Sequence, residues 1–232
     1  MLNVTPLFWF LALAFLVSAY SFWKRLREDY AEELIFGLTL RGGFFALIFA
    51  RLFFVLCNLN LFEFSVAAWV TAHVGADFNL GGAFVGVVWA VVWQMKKRKK
   101  HPWEVLDALS LAVLYFLVLG GVGSFLTNGI YSDLFFSVIG LVGLGFFPFL
   151  KKNYRSFSWY KSGKTGFLFA LYSVYVFFFL LVLAFFKPDN LYLNRLISLF
   201  LVLASLWILY TRSERNLRED ARSIFKFKRR EI

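Results

Sequence analysis

Three ionisable side chains, Arg41, Arg51 and Asp107, stand inside long apolar runs, and one histidine, His73, sits in a less apolar stretch between two such runs. An ionisable group in a membrane-spanning helix is expensive, so each marks a functional or structural position with a partner to be found. A guanidinium beside close-packed glycines suits a lipid phosphate, because it donates two parallel hydrogen bonds to phosphate oxygens. Arg51 has that setting. Gly81 and Gly82 open one apolar run, and Gly120, Gly121 and Gly123 close the next. Asp107 lies near the start of that second run, at a depth similar to that of Arg41, so the two are expected to form a structural polar pair. The alternative for both arginines is snorkelling to the headgroups. His73 is the histidine placed to act as a base on the outer side, although a lone histidine in such an arm is more often a surface residue.

These residues must be positioned by apolar helices. The chain has 232 residues, of which 60% are hydrophobic and 17% charged, against about 25% charged in a soluble domain. Runs near 18 apolar residues are long enough to cross a bilayer as helices. Seven segments are expected, at about 7–23, 34–57, 78–93, 105–125, 134–150, 166–186 and 191–210. The fold class is therefore an all-α integral membrane protein with seven transmembrane helices. They form one domain over 1–210, with an interfacial arm at about 58–77 and a basic tail at 211–232. No basic region precedes the first segment and no small-residue cleavage site follows it, so it reads as a retained helix rather than a signal peptide.

Twenty-one of the 25 Lys and Arg residues fall in alternate loops and the tail; the others are Arg41, Arg51, Lys187 and Arg195. The positive-inside rule then puts the N-terminus outside and the C-terminus in the cytoplasm. The net charge of +11 is a membrane-topology signal, and nucleic acid is not expected as a partner. The single cysteine, Cys57, excludes an internal disulfide and a cysteine-based metal site. There is no phosphate-binding glycine loop, nucleophile elbow or zinc spacing, and no metal or other cofactor is expected.

Four stretches of the chain resemble the prolipoprotein diacylglyceryl transferases. Phe49-Ala50-Arg51-Leu52-Phe53-Phe54-Val55 is similar to that family's Gly-Ala-Arg-Leu-Gly-Tyr-Val, and Leu80-Gly81-Gly82 stands where the family has His-Gly-Gly. Asp107 precedes Gly121 by fourteen residues, the interval between a family aspartate and the signature arginine. The run from Gly120 to Gly129 resembles Gly-Arg-Ile-Gly-Asn-Phe-Ile-Asn-Gly-Glu. Tyr175 matches the tyrosine of the family's Tyr-Gly-Leu-Phe-Arg-Phe helix, and Lys187-Pro188-Asp189 follows as in its Arg-Glu-Pro-Asp.

The resemblance implies a seven-helix protein of the bacterial inner membrane. Its members transfer diacylglycerol from phosphatidylglycerol to the cysteine of a preprolipoprotein signal peptide. It implies a lipid site of Arg51, Gly81, Gly82, Gly120, Gly123, Ser124, Asn128 and Tyr175, with Arg51, His73 and Tyr175 as candidates for catalysis.

The chain also departs from the family. The family histidine is Leu80, the signature arginine is Gly121, its glutamate is Gly129 and the arginine of segment 6 is Phe179. Expulsion of a glycerol phosphate needs cations on the leaving group. Two readings follow: a divergent transferase built around Arg51, or a non-catalytic relative that binds lipid or scaffolds a partner.

Overall fold

The computed structural model describes residues 6–59, 78–160, 162–186 and 192–215, and all regular structure in them is helical. We number the helices α1 (Pro6–Leu26), α2 (Glu32–Cys57), α3 (Leu80–Lys97), α4 (Trp103–Asn128), α5 (Tyr131–Asn153), α6 (Phe167–Phe186) and α7 (Tyr192–Arg212). A 3₁₀ turn, Tyr154–Ser156, extends α5.

Helix ends follow local chemistry. Glu32 and Glu33 open α2, and Lys96 and Lys97 close α3, each on the side of the helix dipole that favours its charge. Asn79 caps α3, its Oδ1 accepting from the Gly82 N–H at 3.0 Å. At the other end Lys99 takes a left-handed φ of 54°. The Lys99 N–H reaches Lys96 O at 2.9 Å and the Lys100 N–H reaches Met95 O at 3.0 Å, a Schellman stop built on lysine. Gly129, at φ 68°, ends α4, and only Ile130 separates it from α5. The stretch left between the segments expected at 105–125 and 134–150 is thus mostly helical, because Thr127 and Asn128 complete α4 and Ser132 and Asp133 lie in the first turn of α5.

Six of the seven described helices are long and apolar enough to cross a membrane. The exception is α3. It has 18 residues, about 27 Å at 1.5 Å per residue, and its last turns carry Gln94, Lys96 and Lys97. It is held by contact with α2 rather than by apolarity. Gly82 and Gly86 present bare backbone to α2, so that a side chain at either would run into the carbonyls of Phe49 and Phe45. Small residues four apart let two helices approach where lipid offers no hydrophobic drive.

The helices pair as α1 on α4, α2 on α3, α5 on α4 and α6 on α7, with α6 also against α4. Helix α4 is therefore central. Its buried face (Val105, Leu106, Leu109, Ala112, Leu114 and Leu117) runs its length. The cationic loops after α1, α3 and α5 gather at one end with the close of α7, hereafter the basic end. Tyr30 donates to Glu104 at 3.0 Å there, and Lys164 pairs with Glu214.

If close approach at α2–α3 sets stability, Gly86→Ala will lower the thermal midpoint in detergent by an amount equivalent to about 1–3 kcal/mol of overpacking. Gly145→Ala is the control. Gly145 is exposed and nothing lies within 4 Å of an added methyl, so it will hold or gain up to about 1 kcal/mol from helix propensity.

Candidate functional site

The end opposite the basic loops collects most of the residues singled out by sequence. Arg51 lies near the C-terminal end of α2. It is half-buried, with its guanidinium 5.7 Å from the centre of the Phe54 ring. Asn79 joins three elements. Its N–H donates to Ala50 O at 3.0 Å, its Oδ1 caps α3, and its Nδ2 donates to Asn194 Oδ1 of α7 at 3.0 Å. The Leu80–Gly82 turn is fixed between α2 and α7 by this residue. Leu80 itself faces an apolar slot, Gly81 approaches Leu201 of α7, and Gly82 is closed by α2.

On α4 the glycines differ. At Gly120 an added methyl would meet the Phe116 ring and Leu11 of α1 at ordinary contact distances of 3.7–3.9 Å. Gly123 is filled by the Phe10 side chain of α1. At Gly121 a methyl would lie 2.5 Å from Ser137 Oγ, 2.7 Å from the Ser137 backbone nitrogen and 2.9 Å from Asp133 O. The backbone of α5 occupies the place where a longer side chain would leave α4. Ser137 reinforces the closure by donating to Val118 O at 2.8 Å.

The Tyr175 hydroxyl donates to Ile139 O at 2.9 Å, so this side chain ties α6 to α5. Phe179 lies edge-on to Tyr175 at 5.1 Å and to Phe135 at 5.8 Å, within apolar packing. Ser124 and Asn128 do come together. Ser124 Oγ donates to Asp133 Oδ2 at 2.6 Å, and Asn128 Nδ2 reaches Ser124 Oγ at 3.2 Å and Asp133 Oδ2 at 3.4 Å. Asp133 is only 7% exposed. His73 and most of the proposed outer arm lie outside the described residues.

Below this end runs a slot of about 160 Å³ between α1, α2, α3, α4 and α6. Its wall extends along α3 from Leu80 to Val91, about 16 Å. Only Ser18 and Thr39 among its lining side chains are polar. Thr39 donates to Ile35 O, whereas Ser18 Oγ is buried and has no hydrogen-bond partner among the described residues. Phe15 and Ala19 of α1 and Thr39 and Gly43 of α2 border it where the two backbones stand apart and the Phe15 ring bridges them onto Gly43.

Asp107 serves a purpose other than the expected one. Its Oδ2 accepts from the Gly166 N–H at 2.7 Å and its Oδ1 from the Phe169 N–H at 2.8 Å, so one carboxylate of α4 caps the start of α6. The Arg212 guanidinium sits 4.6 Å from the Trp103 ring and donates to Thr165 O, adding α7 to the same junction. Gly166, at φ 99°, is required there, because a side chain would also strike the Trp103 ring. The expected Arg41–Asp107 pair is not formed. Helix α2 packs along α3, and Arg41 is exposed. The two residues match in depth but face different ways.

Sequence reasoning also passed over Asn79, Asn194, Asp133 and Ser18. Asn79 was legible as a capping residue immediately before an apolar run. Asp133 was legible as the only acid between Asp107 and Asp189. The partnership of Asn79 with Asn194 had no local signal.

The capping role gives a test. Asp107→Ala will lower the unfolding midpoint in micelles by about 1–2 kcal/mol, and Asp107→Asn by less, since one acceptor remains. Arg41→Ala will be nearly neutral. The Arg41→Ala/Asp107→Asn double variant will be additive; a coupling above about 0.5 kcal/mol would restore the pair.

The family model for prolipoprotein diacylglyceryl transferase matches residues 7–211, nearly the whole helical bundle. No match is found among curated proteins. The matched span contains the α2 arginine, the α3 glycine turn and the α4 glycine cluster around which the site is built, and this multi-pass membrane protein belongs to the prolipoprotein diacylglyceryl transferase family.

Proposed function

We propose that this chain is a phospholipid-binding member of its family in which diacylglyceryl transfer has been lost. The basic loops would face the cytoplasm of a bacterial inner membrane, with the N-terminus and the site at the outer leaflet. The observation that carries the reading is the closure at Gly121. A transferase must stabilise the charge that develops on a departing glycerol phosphate, and preorganised cations at the reacting centre do so. The position where the resemblance puts a signature arginine has α5 backbone 2.7–2.9 Å from a first carbon atom. At Phe179, the second such position, three aromatic rings are packed together. Removing one preorganised donor costs about 10²–10³ in rate, and here two cations and the histidine replaced by Leu80 are gone together.

The retained features support lipid binding. The slot is apolar and of the size of cavities that take small apolar guests, about 150 Å³. It borders the α1–α2 seam, where the Phe15 ring lies over Gly43 and would turn aside to admit a chain from the bilayer. Arg51 is the cation of α2 at the same end, suited to a lipid phosphate. The preprolipoprotein signal peptide is then a partner to be bound rather than modified, or no partner at all.

The test is incubation with phosphatidylglycerol micelles and a fluorescent lipobox peptide, beside an active transferase. We expect no diacylglyceryl mass shift on the peptide cysteine, and phospholipid that stays with the protein through purification. A shift that disappears in Arg51→Ala would establish instead a transferase rebuilt around Arg51.

A further inference from the structure

The Ser124–Asn128–Asp133 group is the part of the outer site that neither a transferase nor a simple apolar slot explains. Asp133 is 7% exposed, and Ser124 and Asn128 both donate to the same oxygen, Oδ2. Oδ1 has no hydrogen-bond or ion-pair partner among the described residues, yet it is not sealed from the surface. A nearly buried carboxylate without a cation is unfavourable. The first turn of α5 offsets part of that charge. No cation of the described residues meets the remainder, which leaves Oδ1 able to take a positive group. Gly121 rules out one from the adjacent turn of α4, because α5 fills that space. The C-terminal carbonyls of α4, ending at Asn128, add further negative potential beside it.

The position of this group relative to the slot matters. Leu109, Ala112, Val113, Phe116 and Leu117 form the α4 wall of the slot. Ser124 is seven residues beyond Leu117, two turns further on the same face and about 10 Å along the axis. Gly120, between them, carries no side chain, and the Phe116 ring and Leu11 of α1 lie over it at ordinary contact distances of 3.7–3.9 Å from an added methyl. A chain that lies in the slot and passes this point would end its polar portion at Ser124 and Asp133. A divalent metal does not fit, since a hard cation requires several oxygen ligands and one carboxylate supplies too few. A primary ammonium fits. It donates three hydrogen bonds and carries one charge.

We propose that the slot and this carboxylate hold one aminophospholipid, with the first part of an acyl chain in the slot and its primary ammonium on Asp133 Oδ1. The inference rests on the lipid-binding reading above and adds headgroup selection to it. It also reverses the sign of the expected preference, from anionic phosphatidylglycerol to a lipid that brings a positive charge.

The full-length protein would be placed in nanodiscs of equal phosphatidylethanolamine and phosphatidylglycerol, and retained lipids counted by native mass spectrometry. Wild type should retain the ethanolamine lipid about tenfold over the glycerol lipid, the size of a partly desolvated charge-assisted contact. Asp133→Asn should bring that ratio to within about twofold while total retained lipid is unchanged. Ser124→Ala keeps the charge and frees its orientation, and should cut the preference about threefold; it serves if Asp133→Asn does not fold. Ala112→Phe, which fills the slot, should remove both lipids together. Equal retention by wild type, or an unchanged preference in the Asp133 and Ser124 variants, overturns headgroup selection and leaves the slot standing. Normal retention by Ala112→Phe overturns the lipid reading itself.

Discussion

Helices in hydrocarbon are not pressed together by water, so how closely two backbones approach depends on what side chains stand between them. That constraint governs α4. Its Gly123 receives Phe10 of α1, and its Gly121 receives the backbone of α5 at Ser137. The same contacts that let α1 and α5 clasp α4 also fix the surroundings of its C-terminal turns. A large side chain at 121 is therefore more than a substitution. It would separate two helices, break the Ser137–Val118 hydrogen bond and displace Asp133 from Ser124. Packing and chemistry at this end are alternatives: where the helices meet over Gly121, a catalytic cation cannot stand.

The two acids at either end of the central helix pair show how environment assigns roles to identical side chains. Asp107 uses both oxygens on backbone amides at the start of α6, with Arg212 closing the junction from α7. Its hydrogen-bonding capacity is committed to architecture. Asp133 is engaged through one oxygen only, by Ser124 and Asn128. The first is a cap supplied from another helix. The second retains an acceptor that no described residue engages, and that difference separates a structural carboxylate from one able to meet a ligand.

Much of the fold was legible in the sequence because apolar length and cationic punctuation are local signals. Six helices satisfy the length and apolarity that their runs suggested, and the glycines near 82 and 121 were recognisable as close-approach points. Depth along a helix was also legible, which is why Arg41 and Asp107 looked like partners. Which helix lies beside which was not: α2 packs along α3 rather than α4, and this leaves Arg41 exposed and away from Asp107. The Asn79–Asn194 bond spans 115 positions, and no window of sequence contains it. The slot was equally hidden, since it is the space left by side chains from five helices. Motif matching ordered Gly120, Gly121, Gly123 and Ser124 correctly along α4, but whether they lined a cavity or a contact was decided by α1 and α5.

These constraints bear on how the family scaffold can keep lipid while losing chemistry. Holding an acyl chain needs only apolar surface of suitable length, and many combinations of Leu, Val, Phe and Ala supply it. Stabilising a leaving phosphate needs charges held within a fraction of an ångström in a desolvated site. The first property would survive the exchanges that the resemblance implies, of histidine for Leu80, which adds to the apolar wall, and of arginine for Phe179, which packs against Phe135 and Tyr175. The second does not survive one such exchange at full rate. Once Gly121 allows α5 to close, restoring the cation requires a helix to move rather than a residue to change. Under the proposed reading, then, the catalytic state and the present one are two packings of α4 and α5. The lipid slot lies below the part that differs, bounded by α1, α2, α3, α4 and α6. Because α5 does not line it, its closure over Gly121 can end catalysis and leave the slot intact.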